Sequence, residues 1–542
     1  MALRAKEYIK SFPNDFASSI VVLLVAIPLC LGIALASNAP LFSGLIAGVI
    51  GGIVVGLASK SHLSVSGPAA GLTAIVAVAI TTLPSFEAFL VAVVICGLLQ
   101  IILGFIKAGI IGDYVPNNVI KGMLAAIGLI LILKQFPHLI GYDADYEGDQ
   151  TFLQANNENT FTALFSSFRH IAPVAAIIGV ICLVFHFVWE KIVTGKKGFV
   201  KIIPAPLLVV LIGIGINEAA SVLYPSMKVS GDHLVNIPVA SSASEFFSFL
   251  TFPDWNHAMN SNVIMTGVTL AMVASLESLL SVEAVDDLDP YQRVTPTNRE
   301  LKAQGLGNML SGLIGGLPVT SVIVRSSANV NSGAKTKMST IYHGILMLVS
   351  IAFIPFLLNK IPNAALAAIL IFTGYKLAKP SLFKAFFAKG WNQFLPFVIT
   401  IIAILMTDLL KGVLIGIGIG LIFIIRSNFK RSVSVYNENH NFLVKLKKDV
   451  SFLNKPIIKN ILEKIPENSS VFIDASKADY IDRDIIEVIE DYMIHAPLKN
   501  IAVELNRNEV REQGFNTEML VWQKLKKSFI RNSDKQIVEN NI

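Results

Sequence analysis

From Phe16 to Arg426 the chain is made of apolar runs long enough to cross a lipid bilayer, interrupted by short turns. A hydrocarbon core about 30 Å thick takes roughly 20 apolar residues per helix. Only 15% of the 542 residues are charged, against roughly a quarter in a soluble protein. The deficit is uneven, because the residues after Arg431 read as an ordinary soluble sequence. The expected fold class is a polytopic α-helical membrane protein, residues 1–431, followed by a small soluble domain, residues 440–542, with a polar C-terminal tail. Phe16 to Ala36 is too long for the apolar region of a signal peptide and lacks a clear cleavage site, so it is expected to be the first span. Cys30, Cys96 and Cys182 lie inside apolar runs and are expected to pack rather than pair or bind metal. The net charge of +6 comes with basic residues flanking apolar segments, so the expected partner is the bilayer and not nucleic acid. The histidines show no metal spacing and no nucleophile–base set is visible, so neither an enzyme nor a cofactor is expected.

Apolar runs between turn signals number about fourteen. Seven fall within residues 16–217 and seven within 261–426, separated by a polar stretch around Glu218 to Asn260. Place Arg4, Lys6 and Lys10 in the cytoplasm and let the spans alternate. Lys60, Lys107, Lys121, Lys191, Lys196, Lys197, Lys201, Arg293, Arg299, Lys335 and Lys376 then fall on the same side. The opposite loops, Gly141 to Thr160 and Asp232 to Asp254, carry acidic residues and no Lys or Arg. This is the positive-inside asymmetry. It places both termini in the cytoplasm, and a bacterial inner membrane is the expected location.

Two segments break the spanning pattern. Pro68 to Thr82 and Thr320 to Val330 are short, and each follows a Gly-rich helix and a polar turn. The turns read Ser66-Gly67-Pro68-Ala69-Ala70-Gly71 and Gly315-Gly316-Leu317-Pro318-Val319-Thr320-Ser321. Both segments take third place in their half. Short, Gly/Pro-interrupted segments at matching places point to a transporter site where inverted repeats meet; ordinary kinked spans are the plainer explanation. Helices that begin near mid-membrane present free N–H groups and the positive end of their dipole. Two such ends form an anion site. Its candidate residues are Pro68, Ala69, Ala70 and Gly71 on one side, and Thr320, Ser321, Val322 and Ile323 on the other. Arg325, about one turn along the second helix, either adds positive field there or pairs with a carboxylate to fix packing.

Glu277 lies well inside the run that begins near residue 261, with Ser281 four residues on along the same helical face. A buried carboxylate beside a hydroxyl ligates a cation or carries a proton. Coupled anion entry against a negative-inside potential requires such a co-transported positive charge. The alternative is a salt bridge from Glu277 to Arg325. Asp408, at a turn near the end of the apolar part, is expected to act as a cap.

Glu300-Leu301, Gln304-Gly305-Leu306-Gly307-Asn308, Gly315-Gly316-Leu317-Pro318, Arg325-Ser326, Asn329, Gly333, Lys335 and Ser339 together form a long pattern. With Ser66-Gly67-Pro68 and Thr407-Asp408-Leu409, it resembles the SulP family of inorganic anion transporters over nearly the whole chain. The resemblance implies a seven-plus-seven inverted repeat, with a core domain and a gate domain moving against each other around a site between helices 3 and 10. It also implies sodium at the positions of Glu277 and Ser281; glutamate in place of aspartate leaves proton coupling open. Sulfate or bicarbonate is the implied cargo. Two departures bear on the substrate: Ile27-Pro28-Leu29-Cys30 is apolar where many members carry Gln or Glu, and Ala70 replaces a hydroxyl of some bicarbonate carriers.

After Arg431 the chain alternates as Phe442-Leu443-Val444-Lys445-Leu446, a strand signal. A helix near Asn454 to Lys464, a strand at Ser470 to Asp474, a helix near Arg483 to Met493 and a strand at Asn500 to Leu505 are expected next. This order is similar to the STAS domains that follow SulP membrane parts. Tyr480-Ile481-Asp482-Arg483-Asp484 has no phosphorylatable serine, which favours a contact role, and a homodimer is the expected assembly. Two other functions compete. A nucleobase–proton symporter of the same fold predicts paired carboxylates on helices 8 and 10, and helix 10 offers Arg325 instead. A membrane sensor signalling through the soluble domain needs a phospho-acceptor or a catalytic output.

Overall fold

The computed structural model describes residues 2–68, 70–145, 152, 158–193, 204–223, 228–240, 242–438 and 440–506. Ala69, the loop lysines Lys196, Lys197 and Lys201, and the tail after Asn506 lie outside the described residues. The chain forms two compact units, Met1–Leu421 and Ile422–Ile542.

Fourteen helices account for the apolar runs. In the first half they are α1 (Ala2–Ala36), α2 (Leu41–Ala58), α3 (Ala70–Thr82), α4 (Phe86–Phe105), α5 (Asn117–Leu139), α6 (Pro173–Val193) and α7 (Ala205–Leu223). In the second half they are α8 (Ser261–Leu288), α9 (Thr297–Leu313), α10 (Ile323–Asn331), α11 (Met338–Phe353), α12 (Asn363–Leu377), α13 (Trp391–Met406) and α14 (Leu409–Ser432). Among the described residues, eight helical stretches are long and apolar enough to cross a membrane. The short helices α3 and α10 are each preceded by a strand, β1 (Ser66–Pro68) and β2 (Val319–Ser321). This differs from the expectation that helices 3 and 10 begin at Pro68 and Thr320. Pro68 pushes the residue before it toward extended backbone, and β-branched Val319, Thr320 and Val322 favour the same.

Helix contacts fall into two groups: α1–α4 pack with α8–α11, and α5–α7 pack with α12 and α13. Glycines set the closest crossings. A Cβ added at Gly97 of α4 would lie 2.5 Å from the Gly305 carbonyl oxygen of α9, and the reverse holds at the same distance. Between α5 and α12, a Cβ at Gly128 would lie 2.6 Å from the Gly374 oxygen. Between α2 and α11, a Cβ at Gly52 would lie 2.6 Å from the Gly344 Cα. Lipid offers helices no hydrophobic drive to associate, so close backbone packing through small residues supplies it. In α2 the same region widens to a π-helical turn, Gly51–Val55, where the backbone of Ser66 presses against Gly51.

At the seam of the two groups, Lys121 of α5 forms an ion pair of 3.0 Å with Asp287 at the end of α8. The 228–240 segment is fastened to the turn between α11 and α12. Asn359 accepts from Ile237 N–H at 2.7 Å and donates to its carbonyl at 3.0 Å, and Val235 N–H donates to Ile361 at 3.0 Å. His138 and His233, which looked scattered in sequence, both bond Asp143, each at 2.5 Å. Burial raises the Asp143 carboxyl, but hydrogen bonds and charge from the two imidazoles outweigh it and hold the group below its usual range.

The second unit holds a four-stranded sheet in the order β3 (Val433–Glu438), β4 (Asn441–Val450), β5 (Ser470–Ile481), β6 (Ala502–Asn506). β3 and β4 form an antiparallel hairpin; β4, β5 and β6 run parallel. Val444, Ile473 and Leu505 align across the last three strands. Helices α15 (Lys455–Glu463) and α16 (Arg483–His495) cover them with Ile458, Leu462, Ile485 and Ile489. Asp482 caps α16, accepting from Asp484 N–H at 3.2 Å. β5 runs past the expected end at Asp474, because the far half of β4 continues to pair with it beyond an irregularity. β3 was not expected from the sequence: it is an edge strand with little buried surface.

The glycine crossings make a direct prediction. Gly305→Ala is expected to cost about 1–3 kcal/mol by overpacking against backbone that has little room to give. Gly215→Ala on α7, where a Cβ meets nothing within 4 Å, is expected to match the wild type. Thermal unfolding midpoints of the purified proteins check both.

Candidate functional site

β1 and β2 pair antiparallel: Ser66 faces Ser321, Gly67 faces Thr320 and Pro68 faces Val319. The two chain segments therefore cross, and each turns directly into a helix. The N-terminus of α10 has no side-chain cap at Val322, and the α-helical part of α3 has none at Leu72. The first N–H groups of α10 keep the positive partial charge that a capping oxygen would offset.

One face of α10 is fastened to the chain just before β1. Val322 N–H donates to the Val65 carbonyl at 3.0 Å, Val65 N–H donates to Ser326 Oγ at 2.9 Å, and Asn329 donates to the Leu63 carbonyl at 2.9 Å. Positions 322, 326 and 329 share a helical face, which accounts for their spacing. Thr320 and Ser321 are fully buried, and the Ser321 hydroxyl shares a hydrogen bond of 2.6 Å with that of Ser64. Ser321 N–H donates to Ser278 Oγ of α8 at 3.4 Å. On the other strand, Ser66 Oγ accepts from Gln304 of α9 at 2.8 Å. Gln304 also donates to Glu300 at 2.8 Å, and the second Glu300 oxygen accepts from Ser59.

Arg325 has 0% exposure, and none of its three guanidinium nitrogens has a hydrogen-bond partner among the described residues. It lies against β1, since a Cβ added at Gly67 would fall on its Nη1. Cys30 of α1 and His343 of α11 are within its electrostatic reach. Glu277 has different company. The Gly71 N–H of α3 donates to its carboxylate, and a Cβ at Gly71 would lie 2.8 Å from Oε1. Gly71, Glu277 and Ser281 line one small cavity of about 10 Å³ with Met123, Leu409 and Leu410. That is room for about one water-sized sphere. The cavity joins α3 and α8 of one helix group to α5 and α14. The alternative salt bridge from Glu277 to Arg325 does not form: among the described residues no ion pair joins them.

The structure thus brings Gly71, Glu277 and Ser281 together, and sets Pro68, Thr320 and Ser321 in the crossing itself. Val322, Ile323 and Arg325 open α10, and Ala70 opens α3. Ala69 lies outside the described residues. Asp408 caps its turn, accepting from Lys411 N–H at 2.8 Å. The sequence reading missed Ser64, Ser66, Ser278 and Gln304 as partners of the crossing. Its available signal was the polar stripe Glu300, Gln304, Asn308, Ser311 along one face of α9, all four with 0% exposure.

The Gly67–Arg325 contact is open to test. Gly67→Ala drives the guanidinium from its place and is expected to lower stability by about 1–3 kcal/mol, seen as a lower thermal midpoint than in Gly215→Ala.

A family model described as the sulfate permease family matches residues 12–419. YvdB of Bacillus subtilis (strain 168), whose name assigns it provisionally to sulfate transport, is 28% identical over 449 residues, covering 82% of this chain and 79% of its own. The bicarbonate transporter BicA of Picosynechococcus sp. (strain PCC 7002) is 24% identical over 429 residues, covering 78% and 70%. Among solved structures, the murine Solute Carrier 26 family member A9 anion transporter matches with a TM-score of 0.64 at 15% identity, covering 91% of this chain and 85% of that one. That likeness is one of fold, shared by a helical membrane transporter. The matched residues include the crossing strands, α3, α8 and α10: the chain belongs to the sulfate permease family.

Proposed function

We propose that this integral membrane protein is a secondary active transporter of a small inorganic anion, sulfate or bicarbonate, coupled to sodium or protons. The observation that carries the reading is the crossing of β1 and β2. It leads each segment straight into the start of a short helix, α10 without a side-chain cap, with the buried Arg325 guanidinium against β1. Dipole ends, backbone N–H groups and a buried cation all favour an anion there. The anion is held by Pro68 to Gly71 and Thr320 to Ile323, with Arg325 supplying field from behind β1. Relatives named for sulfate and for bicarbonate support the substrate class.

Coupling falls to Glu277 and Ser281, which share a cavity with the first turn of α3. A cation or proton bound there offsets the anion's charge and lies against the helix that the anion touches. The two helix groups serve as core and gate and rock against each other around the site. The glycine crossings fit an inverted repeat: α2 with α11 and α4 with α9 are exchanged by it, and α5 and α12 are exchanged with each other. Residues 1–431 form the transporter and 440–542 a STAS-like cytoplasmic domain, both termini inside, in a homodimer. A nucleobase symporter would need a carboxylate on α10, and α10 carries none.

Reconstitution decides it. In proteoliposomes the wild type is expected to take up labelled sulfate or bicarbonate when a sodium or proton gradient is imposed. Glu277→Gln is expected to lose at least about tenfold of the gradient-driven rate, the scale of one buried charged group. Uptake of neither anion under either gradient would sink the proposal; full gradient dependence in Glu277→Gln would remove the coupling role.

A further inference from the structure

The crossing leaves a problem at membrane depth. Ladder hydrogen bonds alternate along a strand, so only part of β2 faces β1, and the backbone groups of Val319 and Ser321 point the other way. An unpaired backbone group in such surroundings is costly. Ser321 N–H reaches Ser278 of α8. Val319 is met on both of its groups by one side chain. Its N–H donates to Asn308 Oδ1 at 2.6 Å, and its carbonyl accepts from Asn308 Nδ2 at 2.9 Å. The amide N–H can only donate, which fixes how the carboxamide is turned. The second Nδ2 hydrogen goes to Gln100 Oε1 of α4 at 2.7 Å, and Gln100 donates to Ser275 of α8 at 3.4 Å. Asn308 and Val319 have 0% exposure, so water does not substitute.

We propose that Asn308 is a positioning residue for the anion site: its carboxamide stands in for a third strand on the free edge of β2 and fixes where α10 begins. The inference rests on the anion-site reading given above. Among the described residues the Asn308 side chain bonds Val319 and Gln100, and no hydrogen bond joins it to α3 or to the first turn of α10. Its effect passes through Val319, the first residue of β2, to the N–H groups four and more residues on. Through Gln100 and Ser275 the same amide is tied to α8, two residues before Glu277. Only a group with one donor and one acceptor at this reach satisfies Val319. Aspartate meets that requirement when protonated and fails it when ionised, because the oxygen standing in place of Nδ2 is then an acceptor set against the Val319 carbonyl and Gln100 Oε1.

The test is a pH-resolved KM. Proteoliposomes carrying wild type, Asn308→Ala or Asn308→Asp are given labelled sulfate, or bicarbonate if that is what the wild type carries. Asn308→Ala is expected to raise KM by about tenfold, the scale of a buried hydrogen-bonded group lost, with maximal rate per folded protein little changed. The Asn308→Asp to wild-type KM ratio is expected to fall toward one as pH is lowered, while the Asn308→Ala ratio stays flat. Amide exchange of segment 317–322 in purified protein reads the clamp without any substrate, and is expected to quicken in Asn308→Ala. Unchanged exchange overturns the clamp. Faster exchange with an unchanged KM, or an Asn308→Asp ratio as flat as that of Asn308→Ala, overturns its role at the anion site. Wild-type uptake of neither anion removes the reading on which that role rests, and exchange still decides the clamp.

Discussion

Three residues of antiparallel pairing, Ser66–Pro68 against Val319–Ser321, are the constraint around which the membrane unit is arranged. Extended backbone is expensive inside a bilayer unless protein covers every polar group. The surrounding helices answer that demand in turn: α9 presents Gln304 and Asn308, α8 presents Ser278, and α10 presents Ser326 back to Val65. The buried Gln304 and Asn308 of α9 follow from this duty. So does the widened turn of α2, where the β1 backbone needs the space that Gly51 leaves.

Arg325 and Glu277 do not form an ion pair with each other. Burying a charge without a partner costs several kcal/mol, roughly, even after relaxation, and such a cost persists where surrounding structure over-determines the position. Arg325 is held behind Gly67, and Glu277 is held by the Gly71 N–H. A direct pair between them would have satisfied both and closed the region to other ions. Their separation leaves the Arg325 guanidinium against β1 and the Glu277 carboxyl against the first turn of α3.

Much of this was legible in the chain. Apolar run length revealed the helices, and Gly/Pro placement located the two short segments at Pro68 and Thr320. Glu277 and Ser281 were joined by simple helical spacing, and the structure does place both at one cavity. The strands themselves were not legible, because three extended residues beside a helix start carry no periodic signal. The α9 stripe was visible as polarity, but the partner of Gln304 on β1, Ser66, lies 238 residues away and is set by tertiary contact. The Asp143 clasp was hidden in part for the same reason: His138 is a near neighbour, but His233 lies 90 residues from Asp143. β3 was lost because an edge strand with little buried surface shows weak alternation.

The glycine crossing of α5 on α12 has a mechanical side. Contact between backbones, with no side chain interposed, has no rotamers to absorb a displacement. Gly128 against Gly374 is therefore a stiff joint between α5 and α12. Slack belongs instead to contacts made through long, jointed side chains, and the Lys121–Asp287 pair at the seam is of that kind. Stiffness and slack at a helix contact are thus set by which residue types meet.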